Sequence, residues 1–141
     1  MSDELEQKRL SIERYAMELA FAAAKRSEDP YVQVGAVALN KDNRVVGCAY
    51  NGLASGVKVE STFWENRDER RQFMFHAEQN LCSLFKRGQV ELVACTVLPC
   101  SCCATLLCSH GVKRVLYFDD YQGSRAKDIF AFHGVMLEQI Q

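Results

Sequence analysis

The second half of the chain alternates short apolar runs, typical of buried strands, with longer helical patterns. Apolar runs cover residues 92–98 and 112–118, and helical patterns follow them over about residues 100–109 and 124–132. Two parallel strands joined by a helix almost always form a right-handed crossover, with the helix packed on the sheet. The alternation therefore predicts an α/β domain built on parallel strands.

The remaining segments complete this fold prediction. An apolar stripe at helical spacing predicts a helix over about residues 4–27, which Asp29-Pro30 ends. The other expected elements are strands over residues 32–39 and 44–50, a long loop over about 51–72, a helix over about 76–87 and an edge strand over 135–140. The predicted fold class is therefore α/β, a three-layer α/β/α domain with a mixed five-stranded sheet, and a single domain over residues 1–141.

A histidine and two cysteines have the spacing of zinc ligands. The chain reads His-Ala-Glu at residues 76–78 and Pro-Cys-Ser-Cys-Cys at residues 99–103. Cys100 and Cys103 are three positions apart at the predicted start of a helix, so both can reach one metal ion, whereas Cys102 should point elsewhere. Together with His76 they would give zinc three protein ligands and leave a fourth position for water.

Glu78 stands two positions after His76 and is not needed as a ligand. A carboxylate beside a zinc-activated water can take a proton and return protons to a leaving amine. A His-x-Glu segment followed by Pro-Cys-x-x-Cys is the signature of zinc-dependent nucleobase deaminases. The combination predicts hydrolytic deamination of a cytosine-like or adenine-like ring, with Glu78 as the catalytic residue and Zn²⁺ as the cofactor.

Two other interpretations of the same residues stay open. A closed, structural zinc site would need a fourth protein ligand, for which His110, Cys102 and Cys108 are candidates. A thioredoxin-like redox motif would account for the cysteines but would leave His76 and Glu78 without a role.

The composition favours a small protein with a small-molecule partner. A net charge of −1 lacks the basic excess of proteins that bind polymeric nucleic acid. Seven cysteines without a signal peptide indicate a reducing compartment, and no stretch reaches membrane-spanning length. A cytoplasmic location without membrane association is therefore expected. Four thiols in apolar segments are expected to be buried and inert: Cys48, Cys82, Cys95 and Cys108.

Longer stretches of the chain resemble one family. The matching pieces are Arg-Ser-Glu-Asp-Pro at 26–30, Gln-Val-Gly-Ala at 33–36, Tyr-Asn-Gly at 50–52, His-Ala-Glu-Gln-Asn at 76–80, the cysteine segment at 99–103, and Gly-Val-Lys at 111–113 leading to Asp-Asp-Tyr at 119–121. Over about residues 26–121 the chain is similar to the cytidine deaminase-like superfamily and, within it, to the deoxycytidylate (dCMP) deaminases. The resemblance implies conversion of dCMP to dUMP and ammonia, which supplies dUMP for thymidylate synthesis.

The resemblance also implies a role for each matching residue. His76, Cys100 and Cys103 would hold Zn²⁺, and Glu78 would shuttle protons. The backbone N–H of Ala77 would position the pyrimidine carbonyl. The remaining substrate contacts would come from Asn51 at the deoxyribose 3′-hydroxyl, Arg26 near the 5′-phosphate, and Tyr121.

The family suggests further partners. Its members are commonly hexamers and are often regulated by dCTP and dTTP at a second site near the Tyr-Asn-Gly segment, so a homo-oligomer with these effectors is expected. Trp64 could stack on a base or anchor its loop to a neighbouring subunit. The cluster of Arg67, Arg70 and Arg71 could be solvated or could gather extra phosphates, and Arg125 could contact a phosphate.

Three alternatives to dCMP deamination remain. A pocket that tolerates a triphosphate would make dCTP a substrate, alone or beside dCMP. The tRNA adenosine deaminases share the zinc pattern, although the Tyr-Asn-Gly context and the net charge disfavour this activity. Outside enzymes, the chain could be an interaction protein that keeps zinc only for folding.

Overall fold

Strands and helices alternate along residues 8–141, the part of the chain that the computed structural model describes. The strands are β1 (Gly35–Leu39), β2 (Val45–Tyr50), β3 (Leu92–Val97), β4 (Arg114–Asp119) and β5 (Met136–Gln139). The helices are α1 (Ile12–Ala24), α2 (Thr62–Glu65), α3 (Arg67–Phe73), α4 (Ala77–Cys82), α5 (Ser101–Ser109) and α6 (Ala126–Phe132). None of these helices is long and apolar enough to span a membrane.

The five strands form one mixed sheet, as the sequence predicts, in the order β2-β1-β3-β4-β5. Strand β1 pairs antiparallel with both β2 and β3. Strands β3, β4 and β5 run parallel, because α5 and α6 each carry the chain back along the sheet before the next strand. The predicted edge position of the last strand is confirmed, and the carboxyl ends of β3 and β4 lie side by side.

Helices cover both faces of the sheet, which confirms the three-layer architecture. Successive residues of a strand point to opposite faces. In β1, Val37 and Leu39 belong to a buried cluster with residues of α1. Ala36 and Ala38 belong to a larger cluster with residues of α4, α5 and α6. The two helices that follow the zinc motifs therefore pack on the same face of the sheet.

The structure differs from the prediction in two segments. In each of them a hydrogen bond between a side chain and the backbone accounts for the difference. The segment 51–72, predicted to be a loop, contains α2 and most of α3, and the Asn66 side chain caps α3 by accepting from the N–H of Glu69 at 3.1 Å. Strand β1 begins later than predicted because Asn51 binds the residues before it. The Asn51 side chain accepts from the N–H of Val34 and donates to the carbonyl of Val32, both at 2.9 Å.

Two helices are shorter than the predicted ones. Helix α4 ends at Cys82, where the N–H of Leu84 donates to the carbonyl of Leu81 at 3.0 Å and tightens the last turn. Helix α1 begins after Ser11, whose side chain accepts from the N–H of Arg14. The predicted start of this helix, near residue 4, lies outside the described residues.

The four thiols expected to be buried differ in their exposure. Cys82 and Cys95 are buried, which confirms the expectation, and Cys108 is half-buried. Cys48 is exposed, so the expectation is wrong there. Its strand, β2, lies at the edge of the sheet and has a largely uncovered face.

Gly35 allows α1 to lie directly on β1. A Cβ at this position would collide with the carbonyl oxygen of Ala20, a backbone atom that cannot rotate away. We expect Gly35→Ala to lower the free energy of unfolding by about 1–3 kcal/mol in a denaturant titration. Gly47→Ala is the matched control, since its Cβ would meet the flexible end of Leu84 at 2.8 Å. Equal losses in the two variants would contradict this account of Gly35.

Candidate functional site

The two zinc motifs lie where the chain enters α4 and α5. His76 immediately precedes α4, and its backbone N–H donates to the side chain of Gln79 at 2.7 Å. Cys100 immediately precedes α5, and its Sγ accepts from the N–H of Cys103 at 3.5 Å. Helix N-termini favour negative groups, so both cysteines occupy positions that suit thiolates.

The imidazole of His76 lies against both thiols. Its Nδ1 is 3.5 Å from Sγ of Cys100 and 3.3 Å from Sγ of Cys103. Nitrogen and sulfur ligands of one tetrahedral zinc ion are separated by about 3.5 Å, given the usual bond lengths. All three candidate ligand atoms lie within 4.8 Å of one another, so the donor set fits zinc.

No fourth protein ligand joins this cluster within residues 8–141. Cys102 is exposed, as its place between the two candidate ligands predicts. The His110 ring lies edge-on to Phe85, with Nδ1 3.0 Å from the carbonyl of Leu106. Neither His110 nor Cys108 belongs to the cluster. The arrangement is therefore that of an open, catalytic zinc site rather than a closed, structural one.

The pKa values of the two cysteines in the cluster are shifted in opposite directions. Hydrogen bonds from the Cys103 thiol and from His76 lower the pKa of Cys100 to about 4. The same thiol–thiolate hydrogen bond, together with burial, raises the pKa of Cys103. A bound divalent cation would displace the proton of the Cys103 thiol, because metal ligands must be deprotonated. Binding of a metal ion at this site is therefore expected to release protons.

Glu78 is buried beside the cluster and contributes no atom to it. Only 4% of the residue is exposed, and loss of solvation raises the pKa of its carboxyl to about 7. Both protonation states are then accessible near neutral pH. A carboxyl with a pKa near neutral pH is suited to take up a proton and later return it.

A cavity of about 300 Å³ opens onto the cluster. This volume is at the lower end of the range found for small-molecule binding sites. Apolar side chains form much of its wall, including Val34, Phe75 and Leu98. Six residues predicted from the sequence to act in the site also line it: Asn51, His76, Ala77, Glu78, Cys100 and Tyr121.

Arg26, predicted to lie near the 5′-phosphate, does not line this cavity. It lies in the wall of a second cavity of about 520 Å³, together with Tyr50 and Gly52 of the Tyr-Asn-Gly segment. Its guanidinium carbon is 6.0 Å from the centre of the Tyr50 ring. Arg26 thus lines a different cavity from Glu78, and its contact with the 5′-phosphate stays a prediction.

The arginines in the wall of the first cavity come from α3 instead. Arg67, Arg70 and Arg71 all line the first cavity. The sequence contained one unused signal for them, since residues 67 and 71 have the four-residue spacing that brings side chains to one face of a helix.

Two other side chains of unassigned role lie outside the walls of the first cavity. The Trp64 ring packs against Phe63, with ring centres 5.2 Å apart. The Arg125 Nε lies 3.3 Å from a carboxylate oxygen of Asp128, and the Arg125 side chain is exposed. Neither placement supports a contact with a substrate in this cavity.

The sequence and the fold of this chain are both similar to those of known proteins. The cytidine and deoxycytidylate deaminase zinc-binding region matches residues 10–119. The chain belongs to this family. Deoxycytidylate deaminase of Homo sapiens is 33% identical over 135 residues, which cover 86% of this chain and 75% of the human protein.

Solved structures of the family have the same fold. The apo dCMP deaminase of cyanophage S-TIM5 has a TM-score of 0.72 and 25% identity, covering 99% of this chain and 100% of the phage chain. The phage enzyme in complex with dCMP and dUMP has a TM-score of 0.68 and 22% identity, over 99% of each chain. Family membership and the donor set agree that zinc is the cofactor of this chain.

Proposed function

We propose that this chain hydrolyses dCMP to dUMP and ammonia and so supplies dUMP for thymidylate synthesis. The observation that carries the proposal is the buried Glu78 beside the His76–Cys100–Cys103 cluster, at a cavity of small-molecule size. The family includes deoxycytidylate deaminases, and the human and phage relatives bear that name. A small-molecule nucleotide is therefore the substrate.

Each group near the cluster has a defined task in this reaction. His76, Cys100 and Cys103 would hold zinc, which supplies a Lewis acid that makes water more acidic. The Glu78 carboxylate takes the proton that the attacking water loses. It returns this proton to the ring nitrogen and then carries the second proton of the attacking water to the departing ammonia. Its burial excludes competing solvent, so the proton stays between the carboxyl and the substrate.

Two further residues would orient the nucleotide. Ala77 is the first residue of α4, and N–H groups in a first turn have no partner within the helix. The Ala77 N–H is therefore available to the pyrimidine carbonyl. The Asn51 Nδ2 donates one proton to Val32, which leaves its second proton for the 3′-hydroxyl of the sugar.

The second cavity is the proposed site for the effectors dCTP and dTTP. Arg26 supplies positive charge there, and the Tyr-Asn-Gly segment forms part of its wall. Turnover of dCMP with and without each triphosphate tests this role. We also propose a single deaminase domain over residues 1–141, a hexamer in solution and a cytoplasmic location. Sedimentation analysis of the zinc-loaded protein tests the hexamer.

Ammonia release from zinc-loaded protein, compared for dCMP, dCTP, deoxycytidine and CMP, tests the proposed reaction. We expect turnover of dCMP and much weaker turnover of CMP and deoxycytidine. Faster turnover of dCTP than of dCMP would identify the triphosphate as the substrate instead. No ammonia release from any of these compounds would reject the proposal. An assay of adenosine deamination in tRNA would then test the tRNA deaminase alternative. Unfolding of the protein on removal of zinc would test the interaction-protein alternative.

A further inference from the structure

Helix α3 places three arginines in the wall of the first cavity, and one of them is already neutralised. The Arg70 Nε is 3.7 Å from a carboxylate oxygen of Asp29, and both side chains are largely buried. The Arg70 Nη1 also donates to the carbonyl of Trp64 at 2.8 Å, and its guanidinium carbon lies 4.8 Å from the centre of the Tyr31 ring. Arg70 therefore holds α3 in place.

The other two arginines, Arg67 and Arg71, have no acidic partner among residues 8–141. They are four positions apart in α3, so they share one face of the helix. In the described part of the chain, neither forms an ion pair with a carboxylate. Two like charges at this spacing destabilise a helix, and an anion bound between them would remove the repulsion. The guanidinium group is suited to phosphate because it can donate two parallel hydrogen bonds.

Tyr121 connects this positive charge to the segment that follows β4. The Arg71 Nη2 donates to the Tyr121 hydroxyl at 3.3 Å, and both residues line the cavity. Because the tyrosine oxygen accepts this bond, its own O–H remains free to donate to an anion. Arg67, Arg71 and Tyr121 thus all line the cavity that Glu78 also lines.

We propose that Arg71 and Arg67 bind the 5′-phosphate of the substrate and so select the nucleotide over the nucleoside, with Tyr121 orienting Arg71. The inference rests on the proposed deamination of dCMP. It assigns to α3 the role that the sequence suggested for Arg26. Arg70 positions the helix, because its charge is already matched by Asp29.

Arg71→Gln, Arg67→Gln and the double variant test this assignment in the zinc-loaded protein. Glutamine keeps hydrogen-bonding groups but removes the charge. We expect each single variant to raise the KM for dCMP and the dissociation constant of dUMP by about tenfold, and the double variant by about a hundredfold. The kcat should change by less than about threefold, because a phosphate contact binds ground and transition states alike. Binding of deoxyuridine, measured in the same way, should not change.

Arg125→Gln is the matched control, because Arg125 is exposed and pairs with Asp128 away from the cavity walls. We expect it to leave KM and dUMP binding within about twofold of the wild-type values. Unchanged dUMP affinity in the double variant would overturn the proposal, as would equal losses for dUMP and deoxyuridine or a lower kcat at constant KM. A wild-type protein that neither binds dUMP nor deaminates dCMP would reject the proposed function itself, so the two failures are distinguishable.

Discussion

Glu78→Gln is expected to bind zinc normally and to lower the kcat for dCMP by about 10²–10⁴-fold. The amide has nearly the shape of the carboxyl but cannot take a proton from water at neutral pH. Because Glu78 belongs to the buried part of α4 and is not a candidate ligand, its replacement should leave the metal cluster intact. Ammonia release and zinc content, measured on the same preparation, check both parts of this expectation.

Glu18→Gln provides the matched control for this variant. Glu18 lies on the exposed side of α1, so the same chemical change there should leave turnover within about twofold of the wild-type rate. Substantial turnover by Glu78→Gln would exclude this carboxyl as the proton shuttle. Loss of zinc from the same variant would instead mean that Glu78 helps to hold the metal.

Cys103→Ala is expected to weaken zinc binding by more than about 10²-fold and to abolish turnover of dCMP. Loss of a residue that only supports a ligand already costs about 10–100-fold in affinity, and loss of a ligand should cost more. Cys103 is buried, and its Sγ lies 3.3 Å from Nδ1 of His76. Its removal leaves two of the three protein ligands. Competition with a chromogenic chelator measures the change in affinity.

Cys102→Ala separates a ligand effect from a general loss of thiols. Cys102 is the neighbouring residue in α5, but it is exposed and outside the metal cluster. This variant should keep about one zinc per chain and near wild-type turnover. Loss of zinc in Cys102→Ala with retention in Cys103→Ala would reverse the assignment of the two cysteines.

The metal cluster could be predicted because few arrangements of these residues suit a zinc ion. Positions three apart at a helix start share one face, and this places Cys100 and Cys103 together whatever the rest of the fold. The exposed side chain of Cys102 follows from the same periodicity. The parallel half of the sheet was also predictable, since β3 and β4 are apolar runs separated by helical patterns.

The arginine-lined part of the cavity was not predictable in the same way. Neither α2 nor α3 has a buried residue, so the segment lacks the apolar periodicity by which helices are recognised in a sequence. The position of Arg26 depends on a tertiary contact with Tyr50, which no local pattern reveals. The raised pKa of Glu78 likewise depends on burial by the assembled fold.

Zinc titration of the metal-free protein is the most direct test of the central claim, that one zinc-dependent centre at His76, Cys100 and Cys103 deaminates dCMP. The protein is stripped with a chelator, zinc is added back in steps, and dUMP formation is followed at each step. We expect turnover to rise linearly and to stop rising at about one zinc per chain. Full turnover of dCMP by the stripped protein, or no turnover once zinc is bound, would contradict the claim.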